Sequence, residues 1–166
     1  MMFPTHLFTG LLIGAIYSSL FTGMSSSIVF VCAIASVVSD IDLFVGQHRK
    51  TLHYPVYSGF LFVITIPILL SNPLVGVYIN GFILCFWIHS ILDSVGGGLG
   101  KRPWNSDQNL PTVYNHYSNT WMYKRDVPVR MEYDGSPLDL GISVVLAVLI
   151  YVMIDTPYLT SILLSV

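Results

Sequence analysis

The residues of this chain that could do chemistry are few, and they lie in short clusters between long apolar stretches. His89 and Asp93 are four residues apart, a spacing that places both side chains on one face of a helix. Such a pair can share a divalent metal, or the carboxylate can orient the imidazole that binds it. A simple His–Asp hydrogen bond is the competing interpretation. The apolar segment before His89 favours a site, because ionisable residues in membrane helices are costly and usually functional.

A pair of carboxylates, Asp40 and Asp42, follows an earlier apolar stretch. In a helix, side chains two positions apart point away from each other, whereas at an extended or irregular end they can share one face. Paired carboxylates can bind or bridge a divalent cation. Two aspartates that are simply solvated at a helix end are the alternative, and the pattern leaves both interpretations open.

A third cluster contains His48, Arg49 and His53. The two histidines suit metal ligation, and the planar guanidinium of Arg49 suits phosphate oxygens or a developing anion. A basic loop that touches anionic lipid headgroups is the alternative. His6 and His116 are ambiguous when taken singly, because a lone histidine among aromatic residues often just packs at a membrane interface.

Apolar helices must position these clusters, as the composition shows. Of 166 residues, 54% are hydrophobic and only 10% are charged, whereas a soluble domain carries about 25% charged residues. Asp, Glu, Lys and Arg are absent from residues 7–39, 54–88 and 140–154. Since a spanning helix needs about 20 apolar residues, the sequence predicts an integral membrane protein. The net charge of -2 argues against nucleic-acid binding.

The predicted fold is all-α: an integral membrane helical bundle of four to five spans, forming a single domain over residues 1–166. A long polar loop covers about residues 96–136. Ser136 and Pro137 suit the start of the last helix, and Pro157 is expected to end it. Cys32 and Cys85 lie in apolar runs and are expected to be buried rather than disulfide-bonded. Helices are expected near 5–22, 26–43, 53–70, 74–95 and 137–155.

The basic residues predict the orientation of this bundle. All seven Lys and Arg occur in two segments, and neither apolar hairpin turn carries a charge. An up-and-down bundle places both segments, together with the N-terminus, on one membrane face. The positive-inside tendency makes that face cytoplasmic. We therefore expect a multi-pass protein of the inner or plasma membrane. The basic residues are Arg49, Lys50, Lys101, Arg102, Lys124, Arg125 and Arg130.

The joint pattern of the clusters is more specific than any one of them. In the predicted layout, the helix ends bring all five histidines and the carboxylates Asp40, Asp42 and Asp93 to the same face. These are enough ligands for two or three divalent ions. A multinuclear site of this kind polarises a phosphoryl oxygen and generates hydroxide near neutral pH.

The ordered set of clusters resembles the LexA-regulated, membrane-bound metal-dependent hydrolase family (YdjM-like). Thr5-His6, the Asp40 and Asp42 pair, His48-Arg49 with His53, and His89 with Asp93 carry this resemblance, which covers about residues 1–104. It implies a helical membrane protein with a bound divalent metal and hydrolase activity. The order of these residues is also similar, more distantly, to that of zinc-dependent phospholipase C and S1/P1-type nucleases.

The more distant resemblance implies roles for individual residues. Asp42, His48 and Arg49 become catalytic or supporting groups: Asp42 or His48 for orienting water or transferring a proton, and Arg49 for stabilising an anion. The chain lacks the later His-x-x-x-Glu of those enzymes, so that His116 is the only further imidazole available to another ion. Relative to the YdjM-like family, Ser39 stands where a proline often precedes the first aspartate. The implied metal ligands are His6, Asp40, His53, His89 and Asp93.

These inferences predict a membrane-bound metal-dependent hydrolase that acts on a phosphoester. A phospholipid or lipid-linked phosphate is the first expectation, because a membrane enzyme meets lipids most readily. The expected partners are thus the lipid bilayer and a phosphorylated or lipid substrate, and the expected ion is Zn²⁺, with Mn²⁺ or Mg²⁺ as alternatives. A transporter or metal-handling protein without hydrolytic activity is the alternative, and it would need polar groups near the bilayer midplane. A scaffold whose metal only joins helices is a third interpretation.

Overall fold

Five α-helices and one small hairpin make up the described part of the chain. A computed structural model describes residues 3–21, 27–95, 111–123 and 136–163, with side chains in the last segment described as far as residue 153. The structure is therefore mostly helical, as predicted. The helices are α1 (Phe3–Leu20), α2 (Ser27–Val38), α3 (Pro55–Ser71), α4 (Pro73–Val95) and α5 (Pro137–Leu163), and a 3₁₀ turn (Ser39–Leu43) continues α2.

The helices begin and end where the local sequence favours it. Proline opens α3, α4 and α5, at a position where its missing N–H is not needed. Ser136 caps α5, since its Oγ accepts a hydrogen bond from the Asp139 N–H at 3.4 Å. Asn72 alone separates α3 from α4, and its carbonyl accepts a hydrogen bond from the Gly76 N–H at 2.7 Å. These contacts confirm the predicted cap at Ser136, and they place the break expected between residues 70 and 74 at Asn72.

Small residues allow the helices to pack closely. On α1, Gly10 and Gly14 are four residues apart and face α2, and a Cβ at Gly14 would lie 2.6 Å from the Cα of Val29. This is the small-xxx-small pattern by which apolar helices approach each other in membranes. α1 packs on α2, and α3 packs on α4. Contacts between α2 and α4 join these two helix pairs. Cys32 and Cys85 are buried and free, as predicted.

Two helices are long and apolar enough to cross a membrane, namely α1 and the Pro73–Ser94 part of α4. α3 and the Pro137–Met153 part of α5 are shorter apolar helices. Large apolar side chains such as Phe60 and Leu70 of α3 are exposed on the outside of the bundle. Membrane association is thus supported by two helices, and a total of four to five spans stays a prediction.

Three expectations about the elements differ from the structure. The second helix ends at Val38, and the 3₁₀ turn replaces its predicted last residues. The predicted polar loop contains an antiparallel hairpin of β1 (Pro111–Asn115) and β2 (Thr120–Tyr123), whose β-branched and aromatic residues are typical of strands. α5 continues through Pro157 to Leu163, so its predicted end at Pro157 is wrong, since a proline can kink a helix without ending it. The five basic residues from Lys101 to Arg130 lie outside the described residues.

Candidate metal centre

One end of the bundle gathers most of the residues predicted to form a site. His6 comes from the first turn of α1, Asp40 from the 3₁₀ turn, and His53 from the residues just before α3. His89 and Asp93 come from the last two turns of α4. Five separate positions in the sequence therefore converge, and four of these side chains form a compact group that could hold a metal ion: Asp40, His53, His89 and Asp93.

The ligand atoms of this group are spaced as around a single ion. All four lie within 4.8 Å of one another. Nε2 of His53 is 3.0 Å from Nε2 of His89 and 3.0 Å from Oδ2 of Asp93. Nε2 of His89 is 3.4 Å from Oδ1 of Asp40 and 3.7 Å from Oδ2 of Asp93. Ligands about 2.0–2.1 Å from a tetrahedral ion lie about 3.3 Å apart, and the observed spacings bracket that value.

The partner of the other ring nitrogen decides what His89 presents to the centre. Nδ1 of His89 lies 2.6 Å from the backbone carbonyl oxygen of Ser36. A carbonyl oxygen only accepts hydrogen bonds, so Nδ1 carries the proton. The Nε2 of a neutral His89 is therefore an unprotonated lone pair directed at the group, the orientation that metal-binding histidines adopt.

Asp42 performs the same task for His53. Its Oδ2 accepts hydrogen bonds from Nδ1 of His53 at 3.0 Å and from the Leu52 N–H at 3.1 Å. Its Oδ1 lies 2.6 Å from Nδ1 of His48. Burial would raise the pKa of Asp42, but the hydrogen bonds from His48 and His53 hold it well below its usual range. Asp42 is thus a carboxylate behind His53, and its contacts favour a supporting role over the proton transfer expected from the sequence.

The charge balance of the group favours a cation at its centre. Two unprotonated Nε2 atoms 3.0 Å apart repel each other unless a proton or a metal ion lies between them. Burial opposes a charge on His53, but its contacts with Asp42 and Asp93 outweigh burial and raise the pKa of His53 from 6.5 to about 9. Without a metal, a proton therefore occupies this position at neutral pH.

His6 and Arg49 approach the centre through Asp93. Nε2 of His6 lies 2.9 Å from Oδ1 of Asp93, and the His6 ring stacks on His89 with centroids 3.9 Å apart. Nε of Arg49 is 3.2 Å from Oδ2 of Asp93, and the Arg49 side chain is 1% exposed. Arg49 has a left-handed backbone, with φ of 60°. These contacts place Arg49 as a support for Asp93, whereas the sequence predicted an arginine that faces substrate.

The group is closed on most sides and open at Asp40. His53 and His89 are fully buried and Asp93 is 1% exposed, whereas the Asp40 side chain is 22% exposed. Burial would raise the pKa of Asp40, but its contact with His89 lowers it below the ordinary value. Asp40 is therefore an ionised carboxylate between the buried imidazoles and the outside of the bundle, where a water molecule or a substrate oxygen can approach.

His116 does not join this group. It follows β1, and its ring lies 4.3 Å from the Tyr54 ring and 5.0 Å from the Tyr114 ring, measured between centroids. The Tyr114 N–H donates a hydrogen bond to the Arg49 carbonyl at 3.0 Å, so the hairpin is attached to the loop before α3. The two candidate metal groups within the described residues do not include His116. In the described structure it packs beside Tyr54, and its metal ligation stays a prediction.

Asp139 is a buried polar residue that the sequence interpretation missed. It lies in the first turn of α5 and is fully buried. The Thr5 hydroxyl donates to Oδ1 of Asp139 at 2.5 Å and lies 2.6 Å from the Ser143 hydroxyl. This contact joins α5 to the turn that carries His6. A lone aspartate in an apolar helix was the available signal, because such residues are rarely incidental in membranes.

No protein-family model, no curated protein and no solved structure matches the chain. The chemistry of the site is therefore argued from its own geometry. The resemblance to membrane-bound metal-dependent hydrolases stays a prediction, as does the more distant resemblance to zinc phospholipases and nucleases.

Proposed function

We propose that this chain is a membrane-bound, metal-dependent hydrolase that acts on a phosphoester. One observation carries the proposal: the Nε2 atoms of His53 and His89, whose Nδ1 atoms already donate to Asp42 and to the Ser36 carbonyl, face each other 3.0 Å apart beside two carboxylates. Once His53 is neutral, these two nitrogens are both lone pairs, so that a cation must lie between them. A divalent cation is the group that fits this set.

The donor chemistry favours Zn²⁺. Imidazole nitrogen suits zinc and the later transition metals, and carboxylate oxygen binds zinc equally well. Mn²⁺ and Mg²⁺ remain the alternatives, with a greater preference for oxygen.

A second group, Asp42, His48 and His53, could also hold an ion, but it would need Nδ1 of His53, which donates to Asp42. We therefore propose one ion, bound by Asp40, His53, His89 and Asp93, in place of the two or three ions expected earlier.

A bound zinc ion would polarise a phosphoryl oxygen and make a nearby water more acidic. The chain's own residues prepare that chemistry. Asp42 and the Ser36 carbonyl orient the two imidazoles, while His6 and Arg49 hold Asp93. Asp40 stands at the open side, where its carboxylate can accept a hydrogen bond from the attacking water. The buried walls keep other water away.

We further propose that the protein crosses the membrane several times, with the metal centre at the cytoplasmic face. α1 and α4 supply two candidate spans, and both carry their metal-centre residues at the same end of the bundle. Arg49 and Lys50 lie at that end too, which agrees with the positive-inside tendency. The YdjM-like hydrolase family, which combines these features, is the family that we propose for the chain.

The closed walls of the site also support a second candidate, a structural metal that only joins helices. Structural zinc sites use all four positions for protein ligands, whereas catalytic sites keep one open. Four ligands are present here, and Asp40 alone among them is partly exposed. If Asp40 gives way to water or substrate, the site is catalytic; if it stays bound, the site is structural.

Metal analysis combined with a substrate screen distinguishes these candidates. The purified full-length chain should contain about one zinc per chain and should hydrolyse a phosphoester from a panel tested with Zn²⁺, Mn²⁺ and Mg²⁺. Asp40→Asn should weaken zinc binding, and with zinc supplied in excess it should still lower turnover. If every substrate failed while zinc stayed bound at full occupancy, the structural candidate would replace the hydrolase.

A further inference from the structure

An apolar groove leads from the outside of the bundle toward the metal centre. It lies between α3 and α4 and has a volume of about 460 Å³. Tyr54, just before α3, and Tyr57, Ser58 and Leu61 of α3 line one side, at helical spacing along one face. α4 contributes Phe82, Ile83 and Phe86.

The two helix faces that line the groove continue into the centre. On α4, His89 lies three residues beyond Phe86, and Asp93 lies seven beyond it, so the stripe that holds the groove also carries two metal ligands. On the other side, Tyr54 directly follows His53. The rise of 1.5 Å per residue places the end of the groove about one helical turn, roughly 5 Å, from the ligand atoms.

The metal centre and the apolar groove next to it are together complementary to an amphiphilic molecule. One end has a group that favours a divalent cation and hence a phosphate, and the other end is lined by aromatic and aliphatic side chains. The outer faces of the same helices are apolar and exposed, as at Phe60 and Val63. With these faces in a bilayer, a hydrocarbon chain is the molecule that can reach the groove sideways from the membrane.

From this continuity we infer that the groove between α3 and α4 binds the hydrocarbon chain of a lipid phosphoester whose phosphate lies at the metal centre. The inference rests on the proposed function and names its substrate class. Because the path is short, the phosphate must be joined to the chain by only a few atoms. Diacylglycerol phosphates and isoprenoid phosphates share this chemistry.

Photolabelling tests the occupant of the groove without relying on turnover. The full-length chain in phosphatidylcholine nanodiscs is irradiated with a lipid phosphate that carries a diazirine in its chain, using one diacyl probe and one isoprenoid probe. We expect label on the peptides that contain Leu61 and Phe82. An excess of the same unlabelled lipid should remove this label, and glycerol phosphate should not. The probe that labels more strongly identifies the chain type.

Leu61→Trp should fill the groove, and Val63→Trp is its matched control on the outward face of the same helix. The larger side chain in Leu61→Trp would take the space of about three or four methylenes of the bound lipid chain. Each methylene excluded from an apolar site lowers the affinity about fourfold, so the affinity of the groove for the chain should fall on the order of 10²-fold. Leu61→Trp should lower groove labelling by that order, whereas Val63→Trp should leave it unchanged. Removal of the metal with a chelator should weaken competition by the lipid phosphate.

The outcomes separate this inference from the proposed function. Label spread evenly over the exposed helix faces, without competition, would mean that only bulk membrane lipid contacts the groove, and the inference would be wrong even if short-chain phosphoesters were hydrolysed. Competed label in the groove of a chain that binds zinc but hydrolyses nothing would support lipid binding and reject the hydrolase.

Discussion

The bundle contains two buried polar clusters, and they satisfy their polar atoms in different ways. In the middle of the helices, the Tyr17 hydroxyl donates to Oδ1 of Asn80 at 2.5 Å, and Nδ2 of Asn80 donates to Oγ1 of Thr65 at 2.8 Å. Thr65 in turn donates to the Phe62 carbonyl at 2.8 Å. Every group named here has a partner of the opposite kind, so this cluster is complete with its own protons.

The metal centre lies about 13 Å further along α4, nine residues beyond Asn80. There the protons on Nδ1 of His53 and His89 are already used by Asp42 and Ser36. Once His53 is neutral, two Nε2 lone pairs and the carboxylates of Asp40 and Asp93 face one another. The comparison shows that burial of polar atoms alone does not indicate function, whereas an excess of acceptors over donors does, because only a cation can correct it.

The comparison also bears on the transporter alternative. A relay across the membrane needs ionisable groups near the midplane, and the central cluster is uncharged. Its hydrogen bonds join α1, α3 and α4, a role that such contacts commonly have in membrane bundles. As far as Met153, the Asp and His residues of the described helices lie instead at one end of the bundle, which is the arrangement that the hydrolase proposal expects.

The largest effect is expected from removing one charged ligand. Asp93→Asn replaces a carboxylate by a neutral amide and removes the negative charge that lies 3.2 Å from Nε of Arg49. Changes in the supporting shell of a metal ligand already cost about 10–100-fold in affinity, so the loss of a ligand should exceed 100-fold. Metal content after dialysis against a graded chelator measures this. If Asp93→Asn kept its zinc, the group of Asp40, His53, His89 and Asp93 would not be the site that binds the ion.

A smaller loss is expected from Asp42→Asn, which keeps all four ligands. The amide cannot accept as strongly from Nδ1 of His53, so the imidazole is less well oriented and less basic. Metal affinity should fall about 10–100-fold, and isothermal titration gives the value. Asp139→Asn is the matched control, because it changes an equally buried aspartate that contacts Thr5 rather than a histidine of the centre. It should bind metal normally.

The pH dependence of metal binding follows from the raised pKa of His53, which is about 9. Below that pH the metal must displace a proton, so affinity should rise about tenfold for each pH unit and level off above pH 9. In the metal-free protein, the charged His53 stabilises the fold fully below pH 6.5, its ordinary pKa. That stabilisation is lost as the pH rises to about 9.

Titration calorimetry in buffers of different ionisation enthalpy counts the released protons. A value near one at pH 7.5 is expected for the wild type. In Asp42→Asn the pKa of His53 should be lower, and the count should fall with it. Metal binding with no proton release at this pH would contradict the described environment of His53.

The smallest effect is expected in the central cluster. Asn80→Ala removes its hydrogen bonds to Tyr17 and Thr65 and should lower the free energy of unfolding by roughly 0.6–2 kcal/mol, the range for hydrogen bonds between membrane helices. Metal content and affinity should not change. If Asn80→Ala also lost the metal, the two clusters would be coupled and the contrast between them would fail.

The sequence was sufficient to predict where the helices and the polar clusters lie. The errors in these predictions have causes in the local sequence. Long apolar stretches, together with the Ser136 and Pro137 start of the last helix, predicted all five helices of the described chain. The 3₁₀ turn was missed because its residues also suit an α-helix, and this turn decides the roles of the two aspartates. At about 120° per residue, positions two apart point in different directions, so Asp40 reaches His89 while Asp42 lies behind His53.

The sequence by itself determined which residue types are available and which end of the bundle they occupy, since charge and apolar length govern where a chain can enter a membrane. Only the tertiary structure decided which atoms meet. The Ser36 carbonyl that orients His89 has no sequence signal, since every residue has a carbonyl. Arg49 and His116 were equally plausible partners of the site, and packing brought Arg49 to Asp93 and held His116 beside Tyr54. Such choices depend on close contacts between distant segments, which spacing along the chain does not record.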